Sequence, residues 1–443
     1  MEISEKMLAM NGKKCACGKV HRIPFVKYES GSGVINTLCS HIRALGGTKP
    51  FIVADVNTFK AAGEKVEKIL EDGGFEFSKH IFTENRTEPD EKAMGSLVLH
   101  FDRSCDIIVA VGSGVMNDLS KILSKTTGLP FIIVATAPSM DGFASDTSSV
   151  IRDGLKVSVN SRSADVIIGD TDILRNAPVK MLLSGLGDML AKYPSICEWR
   201  IGRLLNGEYY CEDVAFLVRG ALKKCVDNAD GLLSRDEESV KAVFEGLIIS
   251  GVAMAYAGLS RPASGTEHYI SHIWDMRNAE FGTPFDLHGI QCGIGTLLTA
   301  KLYDELLKIT PDREKALKSV SEFDLNAHYV KLRELLGNSA EPMIEGEKRE
   351  KKYDLAAHAA RLEKIIKNYD EIKDIILAEI PRYTELYELL KRLGAPMSAE
   401  DIGNDSALLP FMFIATRDVR DKYILSRLAW DMGVDRELAE SII

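Results

Sequence analysis

Three histidines and one aspartate are the residues whose spacing could do chemistry. The stretch "SGTEHYISHIWDM" (264–276) carries His268 and His272 four residues apart, on one face of a helix. "FDLHGIQCGIGT" (285–296) adds His288, so three of the nine histidines fall between residues 268 and 288. "SGLGDMLAKY" (184–193) sets Asp188 after a Gly-Leu-Gly interruption in an otherwise apolar segment. A carboxylate in such a place is costly unless paired or coordinated. Lys192, one turn on, is its simple ion-pair partner. An aspartate and two of the three histidines, drawn from separate segments, form an open three-ligand site. Zinc and related divalent ions accept that donor set and keep positions for substrate oxygens. Spacing leaves open which two histidines bind.

A second group of residues suits a nucleotide. "AVGSGVMND" (110–118) ends a strand and opens a helix. Gly112 and Gly114 permit close backbone approach, and the helix start offers N–H groups to a pyrophosphate. The pattern is incomplete, because Asn117 stands where a third glycine belongs; glycine at such a turn often serves geometry alone. Asp55 ends an earlier strand, where a carboxylate would accept both ribose hydroxyls and repel a 2′-phosphate. That favours NAD over NADP, although Asp55 serves equally well as a helix cap. "TAPSMDGFAS" (136–145) follows a third strand; Thr136, Ser139 and Ser145 are placed to meet the cofactor, and Asp141 to reach a polyol.

Those residues need elements to hold them. "KPFIVADV" (49–56), "CDIIVAVGSG" (105–114), "LPFIIVATAPS" (129–139) and "VIIGDTDIL" (166–174) read as buried strands. Helical spacing lies between them, in "FKAAGEKVEKILEDGG" and "VMNDLSKILSKTTG". Alternating strands and helices predict a doubly wound parallel sheet. From Pro178 onward the periodicity is helical. Two domains are therefore expected: an α/β nucleotide-binding domain over 1–177, with an amino-terminal hairpin near 13–30, and a helical domain over 178–443. A cleft between domains is the default place for a ligand. The charge-dense "GNSAEPMIEGEKREKKY" (337–353) reads as a solvated connection. After it, Leu355, Leu362, Ile365, Ile366, Tyr369, Ile372 and Ile376 predict a helix with one buried face.

Composition limits the partners. The 443 residues are 45% hydrophobic and 27% charged, as in an ordinary globular protein. A net charge of −10 without a basic stripe argues against nucleic acid. The start lacks a secretory h-region, and the apolar run 247–259 is shorter than the roughly 20 residues a bilayer needs. No membrane contact is expected. Eight scattered cysteines suit a reducing cytoplasm. Cys15, Cys17 and His21 in "CACGKVH" offer three soft ligands, one fewer than a structural zinc site usually takes. They read as a tight hairpin turned by Gly18, with a metal knuckle as the alternative.

Together "GSGVMND", "TAPSMDGFAS", "SGLGDMLAKY", "SRPASGTEHYISH" and "HGIQCGIGT", in this order over roughly residues 20–300, resemble the sn-glycerol-1-phosphate dehydrogenase family of the dehydroquinate synthase/iron-containing alcohol dehydrogenase superfamily. "CACGKVH" looks like the amino-terminal hairpin of its bacterial branch, and "RDVRDKYILSRLAWDMG" like its closing helices. The resemblance implies a Rossmann-like dinucleotide-binding domain followed by an all-α domain of the dehydroquinate synthase-like type. It implies zinc or nickel on Asp188, His268 and His288. His272 and Asp141 would meet the substrate. Asp55, Gly112, Ser113, Gly114, Val115, Met116, Thr136, Ala137, Pro138, Ser139 and Ser145 would meet NAD, with NADP as the alternative.

The implied reaction is metal-assisted reduction of dihydroxyacetone phosphate to sn-glycerol 1-phosphate, with His272 orienting substrate or relaying a proton. Lys156, Arg162, Lys192 and Arg261 are candidates for the phosphate. A homo-oligomer, dimer or larger, is expected. The competing readings are a glycerol or polyol dehydrogenase, a dehydroquinate synthase-like lyase and a non-catalytic sensor. An intact ligand set argues against the sensor.

Overall fold

The computed structural model describes residues 3–84, 87–152 and 155–442, with the side chains of residues 155 and 156 outside the description. The chain forms two compact units, Met1–Met189 with Phe216–Gly258, and Leu190–Ala215 with Leu259–Ile443.

The first unit is built on six parallel strands: β1 (Lys27–Gly31), β2 (Pro50–Asp55), β3 (Ser78–Phe82), β4 (Ile107–Gly112), β5 (Phe131–Ala135) and, after a separate antiparallel hairpin of β6 (Thr147–Arg152) and β7 (Leu155–Asn160), β8 (Val166–Asp170). Their order across the sheet is β1-β8-β5-β4-β2-β3. Phe51 to Ala54, Ile107 to Val111 and Phe131 to Ala135 are all buried. Such unbroken apolar runs are what a parallel sheet covered on both faces requires. The chain moves outward from β2 to β3, then returns to lay β4 on the other side of β2. That reversal opens a crevice beyond the carboxyl ends of β2 and β4, the usual ligand position in doubly wound sheets.

Helix Glu237–Ala257 also belongs to this unit. It is longer than its most apolar segment suggested. At 21 residues it is long and apolar enough to cross a membrane, yet 78% of its most apolar window is buried inside the protein. It packs on the short turn Asp141–Ala144, with Phe244 edge-on to Phe143 at 5.7 Å.

The second unit is helical. Its central pair is Thr266–Phe281 and His288–Leu306, joined by a six-residue connection and packed along their length. The expected solvated connection at 337–353 is instead a helix, Ala340–Glu350, with Ala340, Met343, Ile344 and Glu347 buried. These residues recur at i, i+3, i+4 and i+7, so four side chains fix a helix that the surrounding charges disguised. The single helix expected after it is two, Leu355–Lys367 and Tyr369–Glu379, meeting at Asn368. Their shared face holds Leu362, Ile365, Tyr369, Ile372 and Ile376, whereas Leu355 is exposed and Ile366 lies at the surface.

Candidate active site

The residues expected to meet a nucleotide assemble at the crevice beyond β2 and β4. Helix Gly114–Thr127 starts directly after β4, and its N-cap Ser113 makes no side-chain capping bond. The Ser113 hydroxyl turns instead to the next strand end, donating to the Ala137 carbonyl at 3.2 Å and pairing with Ser139 Oγ at 2.7 Å. Thr136 N–H donates to the Gly112 carbonyl at 3.1 Å. The two strand-end loops are thus tied together, and the first-turn amides of the helix are left to a ligand. A Cβ on Gly112 would lie 2.5 Å from Met116 Cβ, so this glycine is required for strand-to-helix packing. Asp55 caps the turn Val56–Thr58, its Oδ1 accepting from Asn57 N–H and Thr58 N–H at 2.8 Å. The capping role and the position at the crevice therefore coexist.

Asn117, at the place of the missing third glycine, has a task of its own. Its side-chain amide donates to the Gly142 carbonyl at 3.0 Å. The buried ammonium of Lys121 donates to the same carbonyl and to that of Thr147. Together they pin the Asp141–Ala144 turn onto the helix. Ser145 pairs with Thr147 Oγ1 at 2.9 Å and opens the β6–β7 hairpin.

Asp188 and Asp141 meet at this turn. Asp141 N–H donates to Asp188 Oδ2 at 2.9 Å, and Ser250 Oγ donates to Asp141 Oδ2 at 2.7 Å. Asp188 is fully buried. Its helix, Val179–Leu190, runs straight through the Gly-Leu-Gly segment without a break. A Cβ on Gly185 would stand 1.9 Å from the Pro138 carbonyl oxygen. The glycine admits the helix onto the "TAPS" loop, and Ser184 Oγ seals the contact by donating to the Ser139 carbonyl at 2.9 Å.

The second unit gathers the three histidines. His268 and His288 have ring centroids 5.1 Å apart, and His272 lies 6.4 Å from the first and 6.1 Å from the second. His268 Nδ1 is held by Glu267 Oε1 at 2.8 Å, and His288 Nδ1 by Ser271 Oγ at 3.2 Å. Nδ1 is engaged on each ring, the outer support that metal-binding histidines take. Glu267 is itself completely buried, with Gly265 N–H on Oε1 at 2.7 Å. Burial raises the affinity of Glu267 for its proton, and burial with the nearby Glu267 charge does the same for Glu198. Glu198 fixes the head of the histidine helix, accepting from Thr266 N–H at 3.0 Å and from Thr266 Oγ1. The donor set fits a divalent cation.

Sequence reasoning missed three residues here. Glu267 carried a legible signal, a carboxylate beside a candidate ligand. Cys292, one turn beyond His288, brings its sulfur to 3.6 Å from His288 Nε2, and the donor atoms of His268, His288 and Cys292 lie within 4.8 Å of one another. Lys422 donates to Ser264 Oγ at 2.6 Å, beside the histidine helix. Burial, with Arg261 and Arg420 nearby, lowers its pKa to about 7.

The cations nominated for a phosphate are largely engaged. Arg162 makes a forked pair with Asp165 at 2.6 and 2.7 Å, and Arg261 one with Glu208 at 2.8 and 2.6 Å. Lys192 donates to the Ala263 carbonyl at 3.2 Å. The Lys156 side chain lies outside the described residues.

Known proteins share these features. The family profile of iron-containing alcohol dehydrogenases matches residues 29–178. A glycerol-1-phosphate dehydrogenase [NAD(P)+] of Halalkalibacterium halodurans is 37% identical over 294 residues, covering 66% of this chain and 74% of that protein. One from Methanosarcina mazei is 33% identical over 317 residues, covering 68% and 86%. Among solved structures, glycerol dehydrogenase from Schizosaccharomyces pombe superposes with a TM-score of 0.60 at 17% identity, over 94% of this chain and 90% of that one. The fold is that of the iron-containing alcohol dehydrogenases, and by sequence the chain belongs to the sn-glycerol-1-phosphate dehydrogenase family.

Proposed function

We propose that the chain reduces dihydroxyacetone phosphate to sn-glycerol 1-phosphate with NADH, NADPH being the alternative donor. The observation that carries this reading is the His268–His288 pair, each ring held through Nδ1, in a chain of this family. Asp188, His268 and His288 are assigned as ligands of one zinc or nickel ion. Residues 1–177 are assigned to the nucleotide and 178–443 to metal and substrate. Asp55 takes the ribose, and the Gly112–Met116 turn takes the pyrophosphate. Thr136 to Ser139 and Ser145 line the remaining nucleotide path. A homo-oligomer in the cytoplasm completes the proposal.

When bound, the cation supplies Lewis acidity at the substrate carbonyl oxygen, and the reduced nicotinamide supplies the hydride. The protein's own groups do the rest. Glu267 and Ser271 lock the two imidazoles, so the ligand set is arranged before substrate arrives. Asp141, steadied by Ser250, holds a substrate hydroxyl. His272, one turn beyond His268, holds the proton that the product alcohol requires, an acid–base role that imidazoles commonly fill. Lys422 joins Lys192 as a candidate for the phosphate, since a cation half-buried among serines faces little competition from bulk water.

The test is NADH oxidation on dihydroxyacetone phosphate, with product handedness read by a stereospecific glycerol-3-phosphate dehydrogenase. Cofactor loss without a product that this second enzyme accepts supports the assignment. Turnover on unphosphorylated dihydroxyacetone alone would make the chain a polyol dehydrogenase instead.

A further inference from the structure

The segment before β1 holds a cluster that the proposed reaction does not use. Lys14 and Val20 form an antiparallel bridge, closed by Cys15 N–H to the Lys19 carbonyl at 2.9 Å and Gly18 N–H to the Cys15 carbonyl at 3.0 Å. Gly18 adopts φ +89°, a conformation that only glycine takes cheaply. Cys15 and Cys17, two residues apart, are presented to the same side. The Cys17 amide lies 3.5 Å from Cys15 Sγ, the kind of N–H contact that steadies a thiolate. Cys17 Sγ lies 3.5 Å from His21 Nε2. The ligand atoms of Cys15, Cys17 and His21 all fall within 4.8 Å of one another.

His21 is the informative member. It is 1% exposed, stacked on Tyr256 at 5.0 Å, with Nδ1 held by the Tyr256 carbonyl at 2.9 Å. A carbonyl on Nδ1 makes that nitrogen the protonated one and leaves the Nε2 lone pair directed at sulfur. This is the outer support given to metal-binding histidines. A plain hairpin turn needs neither two thiols nor an imidazole fixed in one tautomer.

We propose that Cys15, Cys17 and His21 hold a structural zinc ion, distinct from the catalytic one. Zinc takes thiolate and imidazole together, and the two thiols lose their protons on binding. The ion would brace the amino-terminal hairpin, which hydrogen bonds join to the end of helix Glu237–Ala257: His21 Nδ1 pairs with the Tyr256 carbonyl, Lys19 Nζ donates to the Ala257 carbonyl, and the Tyr256 hydroxyl donates to the Met7 carbonyl at 2.8 Å. Tyr256 is thereby gripped from both sides. The inference stands apart from the proposed reaction.

The test is zinc-edge X-ray absorption on the full chain carrying His268→Ala and His288→Ala, which removes the proposed catalytic ion. A bound zinc with sulfur neighbours at about 2.3 Å is expected. Adding Cys15→Ser and Cys17→Ser should remove two sulfurs from that shell, and His21→Cys should keep the ion and add sulfur to it. The swap guards against a variant that merely misfolds. Zinc without sulfur neighbours, a sulfur count unchanged by both serines, or a Cys15–Cys17 disulfide in the native protein would overturn the proposal. Loss of turnover in the histidine variants bears only on the catalytic assignment.

Discussion

The strand-end crevice and the histidine pair are built in opposite ways. At the crevice, backbone is what is held in place: Thr136 N–H meets the Gly112 carbonyl, Asn117 and Lys121 hold the Gly142 carbonyl, and Ser184 holds that of Ser139. Around the histidines, buried side chains position other side chains, as Glu267 does for His268 and Ser271 for His288. A surface that presents backbone to a ligand accepts changes of side chain wherever the residues that pin its loops, such as Asn117, Lys121 and Ser184, are kept. A layer of buried polar side chains does not, because each removal strands its partner away from water.

The largest effect should follow loss of a proposed ligand. His288→Ala or Asp188→Ala is expected to remove the catalytic metal and lower kcat by roughly a thousandfold or more, in line with losing a preorganised electrostatic group; metal analysis beside turnover checks it. Next comes Glu267→Gln, which keeps the shape but weakens the support of His268. A loss of about 10- to 100-fold in metal affinity is expected, read by chelator competition, with kcat recovering at saturating metal. Unchanged affinity would erase the contrast between the two regions.

Gly185→Ala tests the other side. Its methyl group meets a backbone oxygen, so a cost of about 1–3 kcal/mol in unfolding free energy is expected, together with a raised KM for NADH as the "TAPS" loop shifts. Asp55→Ala should be the mildest. It removes a cap worth about 1 kcal/mol and the proposed ribose acceptor. KM for NADH should rise roughly 10-fold, as loss of a charged hydrogen bond implies, while that for NADPH moves less. An unchanged ratio of the two would remove Asp55 from the nucleotide site.

Legibility in the sequence followed burial. β2, β4, β5 and β8 announced themselves as uninterrupted apolar runs because both of their faces are covered. β1, "KYESG", and β3, "SKHIF", are edge strands with partly exposed residues, and their polar content hid them. The β6–β7 hairpin was missed for the same reason. In the helical part, the three buried apolar positions Ala340, Met343 and Ile344 outweighed six charged residues between Ala340 and Glu350, which composition alone conceals. For the candidate site, residue types and spacing pointed to the histidines, and the three rings do stand together. Glu267 was legible as a carboxylate beside a candidate ligand, whereas Cys292 and Lys422 were invisible because their importance lies in what they touch.

One connection in the sheet has a consequence for synthesis. Among the described residues β1 pairs with β8 alone, Lys27 opposite Val166, so its partner lies 166 − 27 = 139 residues downstream. At about 5–20 residues per second, a ribosome needs roughly 7–28 s to deliver that partner. Throughout that interval the nascent first strand has nowhere to dock. The polar residues that disguise it from a reader of the sequence also keep it dissolved while it waits.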